Sequence, residues 1–363
     1  MLSSTNGAHP PPRILSTATA VPPVEFDQAE VRERVRAIFA SNGKDISHLL
    51  PVFENAGIRR RYSCVPLDWY ARAVGWKERN DLYVRHALDL AETAASKALA
   101  RANLQADEVD QVIALSTTGI ATPSLDSRLI GRLGLRPDVV RLPVFGLGCA
   151  GGVLGLNRAA AMARAEPGSR VLMVVVELCA LTFRPQDTSN SNVVAAALFG
   201  DGAAAAVIST EPVAATPAPS PAAAKLIAWG EHTWPDSLDV MGWDVEDDGL
   251  GVLFSRDIPM IVERDFAVAA RDFLASLGLG LDDLNGAICH PGGAKVIVAL
   301  ERALGFAEGS MLHARQVLRD YGNMSAATVL FVLDRALEVG KDGRHLISAL
   351  GPGFSVGFSL LEL

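Results

Sequence analysis

Short apolar runs typical of β-strands alternate with helical patterns along the chain. Before residue 211 the strand-like runs lie at 110–117, 170–178 and 203–209. Helical periods accompany them at 83–102 and in the segment that follows Cys149. Strands that alternate with helices of this length predict an α/β architecture with largely parallel sheets.

The later part of the chain repeats this alternation. Strand-like runs at 286–290, 345–350 and 355–363 enclose helical patterns at 294–305 and 325–340. Two parts of the same texture predict a fold of two similar halves, although no residue-level repeat accompanies them.

Two stretches of biased composition bound these halves. Residues 1–12 are polar and rich in proline, and we expect them to be disordered. Residues 211–224 are mostly alanine and proline without periodicity, which predicts a linker or surface loop. The predicted halves are therefore 13–210, which would carry the nucleophile described below, and 225–363.

Composition excludes several classes of function. The 363 residues are 49% hydrophobic and 20% charged, which is ordinary for a globular protein with a large core. A net charge of −8 argues against nucleic acid or an anionic membrane as the main partner. A local basic patch at Arg59, Arg60 and Arg61 could hold a phosphorylated ligand or be a solvated turn.

Cysteine usage and apolar run length point to a cytoplasmic protein. The four cysteines show no C-x-x-C spacing, so neither a zinc site nor a disulfide framework is predicted. The longest apolar run, 171–183, is interrupted by Glu177 and is too short to span a bilayer. The first residues do not have the pattern of a secretory signal.

Three stretches carry candidate chemistry. Cys149 stands in GLGCAGG (146–152), where a strand-like approach gives way to a helix. The positive end of a helix and its free N–H groups favour a thiolate, although a buried structural cysteine is an equal alternative. His290 follows a strand-like run and precedes Pro-Gly-Gly, whereas Asn323 precedes a helical run and could simply cap it.

Together these residues supply a nucleophile, a base and a neutral amide donor. Such a set suits acyl-thioester chemistry, because imidazole can generate the thiolate and the amide can stabilise an enolate or oxyanion. A carboxylate in place of Asn323 would repel the developing negative charge.

Six motifs in order make the chain resemble a type III polyketide synthase of the chalcone synthase-like family. They are FGLGCAGG (145–152), TFRPQD (182–187), ALFGDGAAA (197–205), HPGG (290–293), YGNMSAA (321–327) and ALGPGFSVGF (349–358). The resemblance implies a thiolase-like α/β fold, with two similar βαβαβ-containing halves packed as a layered αβαβα core. It also implies a homodimer that needs no metal or other cofactor.

The resemblance implies a reaction at the three candidate residues. Cys149 would take an acyl group from a starter acyl-CoA, and His290 and Asn323 would promote decarboxylation of malonyl-CoA for repeated condensation. A medium- or long-chain fatty acyl starter would give an alkylpyrone or an alkylresorcinol. Alternatives are a ketoacyl synthase III-like enzyme with a carrier-bound substrate, a thiolase-fold acyltransferase and a non-catalytic acyl-CoA-binding paralogue.

Pocket residues follow from the same resemblance. Phe199 would gate the cavity, and an ungapped match places Val252 at the second gate position, while Phe254 needs a shift. Small or thiol side chains at Cys179 and Thr122 would widen the cavity. The remaining predicted pocket residues are Thr182, Trp243 and the cyclisation network of Thr117, Glu177 and Ser325. Arg59 and Arg256 would meet the phosphates of CoA, and the loop 119–124 would reach the partner's cavity.

Overall fold

The computed structural model describes residues 10–211, 224–340 and 342–363, which form a mixed sheet covered by helices. The strands are Arg13–Ala20 (β1), Val24–Asp27 (β2), Arg60–Ser63 (β3), Gln111–Leu115 (β4), Val140–Val144 (β5), Val171–Leu178 (β6), Asp201–Ser209 (β7), Ala224–Thr233 (β8), Met241–Glu246 (β9), Gly249–Phe254 (β10), Gly286–Cys289 (β11), Arg344–Gly351 (β12) and Ser355–Glu362 (β13). The helices are Gln28–Ser41 (α1), Pro51–Asn55 (α2), Trp76–Arg101 (α3), Leu125–Leu133 (α4), Gly151–Ala165 (α5), Asn190–Leu198 (α6), Ile258–Ile261 (α7), Ala267–Ala275 (α8), Ala294–Ala303 (α9), Leu312–Tyr321 (α10) and Ala326–Val339 (α11).

The central sheet shows a duplication of the fold. Its strand order is β11-β12-β13-β8-β1-β7-β6-β4-β5, and β1 pairs with β8 where the two halves meet. Outward from that junction, β1-β7-β6-β4 and β8-β13-β12-β11 follow the same sequence of antiparallel, antiparallel and parallel pairings. The halves therefore share one topology, and β5 extends the first half by one strand.

The expectation of largely parallel sheets is wrong. Only β4 with β5, β4 with β6, and β11 with β12 are parallel within the described ranges, and the other pairs of the central sheet are antiparallel. The last strand of each half runs opposite to its neighbours, because β7 and β13 return along the strands that precede them in the chain. Apolar patterning predicts which segments are strands, but not their directions.

The predicted boundaries meet the structure in part. Most of the stretch 1–12 and nearly all of 211–224 lie outside the described residues. Pro12 is an exception to the expected disorder, because it is buried and its carbonyl accepts a hydrogen bond from the Leu226 N–H at 2.8 Å. Strand β8 begins at Ala224, the last residue assigned to the linker.

Helices cover the sheet on both faces, and small side chains allow them to pack closely. Strand β6 is buried along its whole length, as expected of an apolar strand with helices on either side. Helix α3 turns a row of buried alanines toward β1, β6 and β7. On the other half, Phe273 of α8 stacks on Phe358 of β13 with ring centroids 5.3 Å apart.

Helices α5 and α11 contact each other and strands of both halves. Their contact is unusually close, because a Cβ on Gly152 would lie 2.3 Å from the Ala326 carbonyl oxygen and 2.5 Å from Val329 Cγ1. The neighbouring Gly151 would place a Cβ 3.1 Å from the Ala326 side chain. These glycines are required by helix packing, which sets the distance between the two helix N-termini.

Replacing Gly152 by alanine tests this packing. We expect Gly152→Ala to lose about 1–3 kcal/mol of unfolding free energy, because the added methyl group overpacks against backbone that cannot rotate away. Denaturant unfolding measures the loss. Gly131→Ala, on α4 with nothing within 4 Å of the new Cβ, is the control and should gain up to about 1 kcal/mol from helix propensity. A Gly152→Ala protein as stable as the parent would contradict the packing argument.

Candidate active site

The duplicated topology brings Cys149 and Asn323 together. Cys149 lies in the short helical turn Gly148–Ala150 that leads directly into α5. Asn323 lies just before α11, the helix that packs against α5. His290 follows β11, where the chain leaves the sheet. The two helix starts and this strand end meet at one site, and all three side chains line the same cavity.

Local hydrogen bonds fix the Asn323 amide. Its Oδ1 accepts the Ser325 N–H at 2.8 Å, and its Nδ2 donates to the Gly292 carbonyl at 3.2 Å. Ser325 has a φ of 46°, a conformation that few residues other than glycine adopt and that is common at functional sites. The amide thus fixes the turn before α11 and faces the cavity, whereas the helix itself begins at Ser325 without a side-chain cap, so the helix-capping alternative is wrong.

Burial opposes ionisation of the Cys149 thiol. It raises the pKa of Cys149 to about 12, against hydrogen bonds from the Ser325 and Asn323 side chains that lower it. The helix N-terminus therefore does not by itself make a thiolate at neutral pH, contrary to the simplest expectation from the sequence. A proton acceptor close to the sulfur is needed.

His290 is buried and free to act as that acceptor. Burial lowers the pKa of His290 to about 3, and neither ring nitrogen has a hydrogen-bond partner among the described residues. Its backbone N–H donates to the Ser348 carbonyl at 2.9 Å, which fixes the main chain and leaves the ring directed at the cavity. Imidazolium and thiolate each cost energy alone in this site, so the charged forms would be made together and would stabilise each other.

The cavity that holds the three residues has a volume of about 810 Å³. Such a size is typical of sites for organic ligands. Its walls are mainly apolar, from Leu49, Val52, Ala56, Val194, Leu198, Met241, Phe254, Ile258, Val296, Leu300 and Leu350. His48, Arg256 and Lys295 are exposed side chains that also line it, so its open end is basic.

Phe199 belongs to a packed cluster beside the cavity. Its ring centroid lies 5.8 Å from that of Phe254 and 5.9 Å from that of Trp243, and Cys179 is buried in the same cluster. Val252 and Phe254 share one face of β10, where Val252 packs on this cluster and Phe254 reaches the cavity. The aromatic side chain of β10 that lines the cavity is therefore Phe254.

Glu177 supports the loop beside the nucleophile. Its Oε2 accepts the Thr117 N–H at 3.0 Å and the Thr118 hydroxyl at 2.8 Å. Thr117 in turn accepts the Gly148 N–H at 3.1 Å through its Oγ1. Hydrogen bonds therefore link Glu177 to the turn that carries Cys149.

Comparison with known proteins decides the family. Residues 6–212 match the N-terminal domain of chalcone and stilbene synthases, and residues 227–361 match the C-terminal domain. The chain belongs to this family. The layered, thiolase-like α/β fold implied by the resemblance is confirmed.

Individual relatives extend over nearly the whole chain. A putative chalcone synthase of Bacillus subtilis (strain 168) is 38% identical over 350 residues, 94% of this chain and 96% of that protein. The 1,3,6,8-tetrahydroxynaphthalene synthase of Streptomyces peucetius is 38% identical over 352 residues, 96% and 92% of the two chains. The crystal structure of 1,3,6,8-tetrahydroxynaphthalene synthase from Streptomyces coelicolor A3(2), a bacterial type III polyketide synthase, matches with a TM-score of 0.89 at 28% identity, covering 96% and 99%. The protein is a type III polyketide synthase and a condensing acyltransferase.

Thr182 and Thr122, predicted for the pocket, and Arg59, predicted to bind CoA, are also not among the residues that line the cavity. Thr182 is buried and donates its hydroxyl to the Cys179 carbonyl at 2.7 Å. Thr122 is exposed on the loop 119–124. Arg59 is exposed in a separate depression, beside the acidic side chains of Glu25 and Asp320, so the structure does not bring it to the cavity.

Two residues that line the cavity, Lys295 and His48, were not predicted from the sequence. Lys295 lies in the first turn of α9, two residues after the last glycine of HPGG, and that position was the available signal. His48 precedes α2 and gave no signal in the sequence. Among the described residues, no group of histidine, cysteine, aspartate and glutamate could hold a metal ion, and no helix is long and apolar enough to cross a membrane.

Glu177 generates a prediction about stability and pH. Burial raises the pKa of this carboxyl from 4.5 to about 7, so between these pH values the unfolded chain loses a proton that the folded enzyme keeps. Unfolding free energy should therefore fall by about 3 kcal/mol across that range. Glu177→Gln keeps an acceptor oxygen for the loop and lacks this titration, so its stability relative to the parent should rise as pH rises.

Urea denaturation at about pH 5 and about pH 8 measures the difference. Glu308→Gln removes a carboxyl from an exposed position and controls for the loss of charge. A Glu177→Gln effect that is the same at both pH values would show that the folded protein does not hold this proton.

Proposed function

We propose that the enzyme performs iterative decarboxylative condensation of malonyl-CoA on an acyl group bound to Cys149. The observation that carries this proposal is that Cys149, His290 and Asn323 line the same apolar cavity. Type III polyketide synthases use acyl-CoA and malonyl-CoA, and the basic end of the cavity suits their phosphates. His48, Arg256 and Lys295 are the side chains proposed to contact them.

Each of the three residues has a step in this proposal. His290 accepts the thiol proton, and the Cys149 thiolate attacks the starter thioester and expels CoA, which leaves with a proton. Malonyl-CoA then loses carbon dioxide, and its enolate oxygen is stabilised by His290 and by the Asn323 amide N–H. The enolate carbon attacks the acyl-cysteine carbonyl, and the thiolate leaves with the electron pair of the broken C–S bond.

The starter is proposed to be a medium- or long-chain fatty acyl-CoA, with an alkylpyrone or alkylresorcinol as product. The apolar walls support this choice, because each buried CH₂ group contributes about 0.8 kcal/mol. A tetrahydroxynaphthalene-type product is the second candidate, since a relative of that name is 38% identical to this chain. The packed cluster of Phe199, Trp243 and Cys179 beside the cavity also favours a compact product.

Product profiling of the purified enzyme tests these alternatives. Malonyl-CoA is supplied alone and with starters from acetyl- to stearoyl-CoA, benzoyl-CoA and coumaroyl-CoA, with Cys149→Ala as the inactive control. We expect kcat/KM to rise by about 15-fold for each two carbons until the cavity is filled. Val194→Phe, in the cavity wall, should shorten the preferred starter, and Val268→Phe, exposed on α8, should not.

The other outcomes each identify a different function. A naphthalene product from malonyl-CoA alone would support the second candidate. Extension that requires a malonyl group on a carrier protein would favour the ketoacyl synthase III-like alternative. Acyl transfer without extension, or no reaction with any starter, would reject the condensation proposal.

We also infer that the enzyme is a homodimer formed through the edge of β5. This strand has one unpaired edge, and exposed apolar side chains lie along it and next to it: Val140 (51% exposed), Phe145 (59%) and Ile120 (55%). The Ser116 N–H donates to the Val144 carbonyl at 3.2 Å, so the segment that leads to the loop 119–124 leaves the sheet at the end of β5. A second copy would cover these side chains and receive Thr122 at its cavity.

A charge at this edge should break the dimer. We expect Phe145→Asp to shift the protein toward the monomer in sedimentation velocity, because a buried carboxylate without a partner is costly. Leu312→Asp, on an exposed position of α10, is the control and should sediment like the parent. A parent protein that is monomeric at all concentrations, or a dimer unaffected by Phe145→Asp, would rule out this interface.

A further inference from the structure

Arg61 is a buried cation outside the chemistry proposed above. It lies on β3 and is only 4% exposed. Its Nη1 donates to the Phe199 carbonyl at 2.8 Å, and its Nη2 has no hydrogen-bond partner in the ranges that the structure describes. The nearby Asp201 carboxylate is occupied by the backbone N–H groups of Cys64 and Ala180.

The carbonyl that Arg61 holds belongs to a segment bonded to Asn323. The Asn323 N–H donates to the Leu198 carbonyl at 2.8 Å, and the Gly200 N–H donates to the Asn323 carbonyl at 3.0 Å. Residues 198–200 are thus fixed on one side by the Arg61 guanidinium and on the other by the main chain of Asn323.

Close packing at two glycines joins Arg61 to both segments. A Cβ on Gly200 would lie 3.3 Å from Arg61 Cβ, and a Cβ on Gly322 would lie 3.5 Å from it. Gly322 has a φ of +71°, and its added Cβ would also lie 2.8 Å from the Leu198 carbonyl oxygen. Three chain segments therefore meet at Arg61, so a displacement of one is transmitted to the others.

We propose that Arg61 is a positioning residue, which holds the 198–200 segment so that the Asn323 amide stands at the Cys149 sulfur and the malonyl group. The inference rests on the roles proposed for Cys149 and Asn323. Asp201 attracts Arg61 from beyond salt-bridge distance, and a buried cation that forms no salt bridge in the described ranges is a costly way to fill space, for which an apolar side chain of similar size would serve stability equally well. The directed hydrogen bond to the Phe199 carbonyl is what an apolar side chain cannot supply.

Two partial reactions separate positioning from stability. Decarboxylation of malonyl-CoA depends on the Asn323 amide, whereas alkylation of Cys149 by iodoacetamide needs only an accessible thiol and its base. We expect Arg61→Met to lower kcat for decarboxylation by about tenfold to 100-fold, as a small misplacement of a catalytic group does. The KM for malonyl-CoA and the alkylation rate should stay within about threefold of the parent values, because the cavity and the thiol are unchanged.

Arg79 provides a matched control. It is also 4% exposed, and its Nη1 donates to the carbonyls of Leu181 and Phe183 at 2.7 Å, away from the Asn323 segment. Arg79→Met should lower the thermal midpoint while the ratio of decarboxylation to alkylation stays at the parent value. Arg61→Lys keeps a cationic donor with a shorter reach and should recover most of the ratio.

If the ratio of decarboxylation to alkylation in Arg61→Met equals that of the parent, the inference is overturned, whether both rates are kept or both fall in parallel. If Arg61→Met does not fold, Arg61→Lys carries the test, with a fall of about threefold in the ratio expected for the displaced donor and no change overturning the inference. Asn323→Ala and Cys149→Ala run in the same assays. If Asn323→Ala keeps the parent decarboxylation rate, the proposed function itself is rejected. If Asn323→Ala loses decarboxylation while Arg61→Met keeps the parent rate, only the role of Arg61 is rejected.

Discussion

The contact between α5 and α11 is the constraint on which the rest of the structure depends. Two helices related by the fold's duplication cross the middle of the molecule, and glycine at 152 lets one touch the backbone of the other. A candidate catalytic residue lies just before each helix, Cys149 in one half and Asn323 in the other. The active site therefore exists only if the halves pack at this distance, so stability and catalysis share one interface.

Burial opposes the ionisation of both Cys149 and His290. It raises the pKa of Cys149 to about 12 and lowers that of His290 to about 3, so each group alone prefers to be neutral. An enclosed cavity also strengthens every interaction with a developing charge, because little water screens it. In the proposed reaction, the same environment that resists a free thiolate would favour a thiolate paired with imidazolium, and would strengthen the hydrogen bond donated by the fixed Asn323 amide.

The sequence predicted the fold class and the residues of the site more reliably than their surroundings. Apolar runs predicted the positions of β4, β6, β7, β11, β12 and β13 within a few residues, because a buried strand needs a continuous run of apolar residues. Strand directions could not be predicted, since they depend on how the chain returns to the sheet. Glycine spacing around Cys149 was visible, but its cause was not. Gly151 and Gly152 admit α11, and Gly148 admits Pro352.

Individual pocket residues were harder to predict for a related reason. A motif match specifies a position along a strand, whereas a cavity is defined by what neighbouring elements leave unfilled. Val252 and Phe254 lie two residues apart on one face of β10, so an alignment without gaps does not decide which of the two lines the cavity, and the structure places Phe254 there. Arg61 shows the same effect, because the run of three arginines was predicted to hold a phosphorylated ligand or to be a solvated turn, whereas Arg61 is buried and donates to the Phe199 carbonyl.

The arrangement of the cavity wall, and not the size of single residues, limits which substrates fit. Cys179 is small, yet it does not line the cavity that contains Cys149, because Ala195 and Phe199 pack around it and the void beside it measures about 50 Å³. The available space lies instead between α6, α9 and β10, where Val194, Leu300 and Phe254 line the 810 Å³ cavity next to Cys149. An extended chain that outgrew this space would have to displace the aromatic cluster of Phe199, and the backbone beneath that cluster is the segment held by Arg61. In the proposed reaction, the length of the product and the placement of Asn323 would therefore be coupled through residues 198–200.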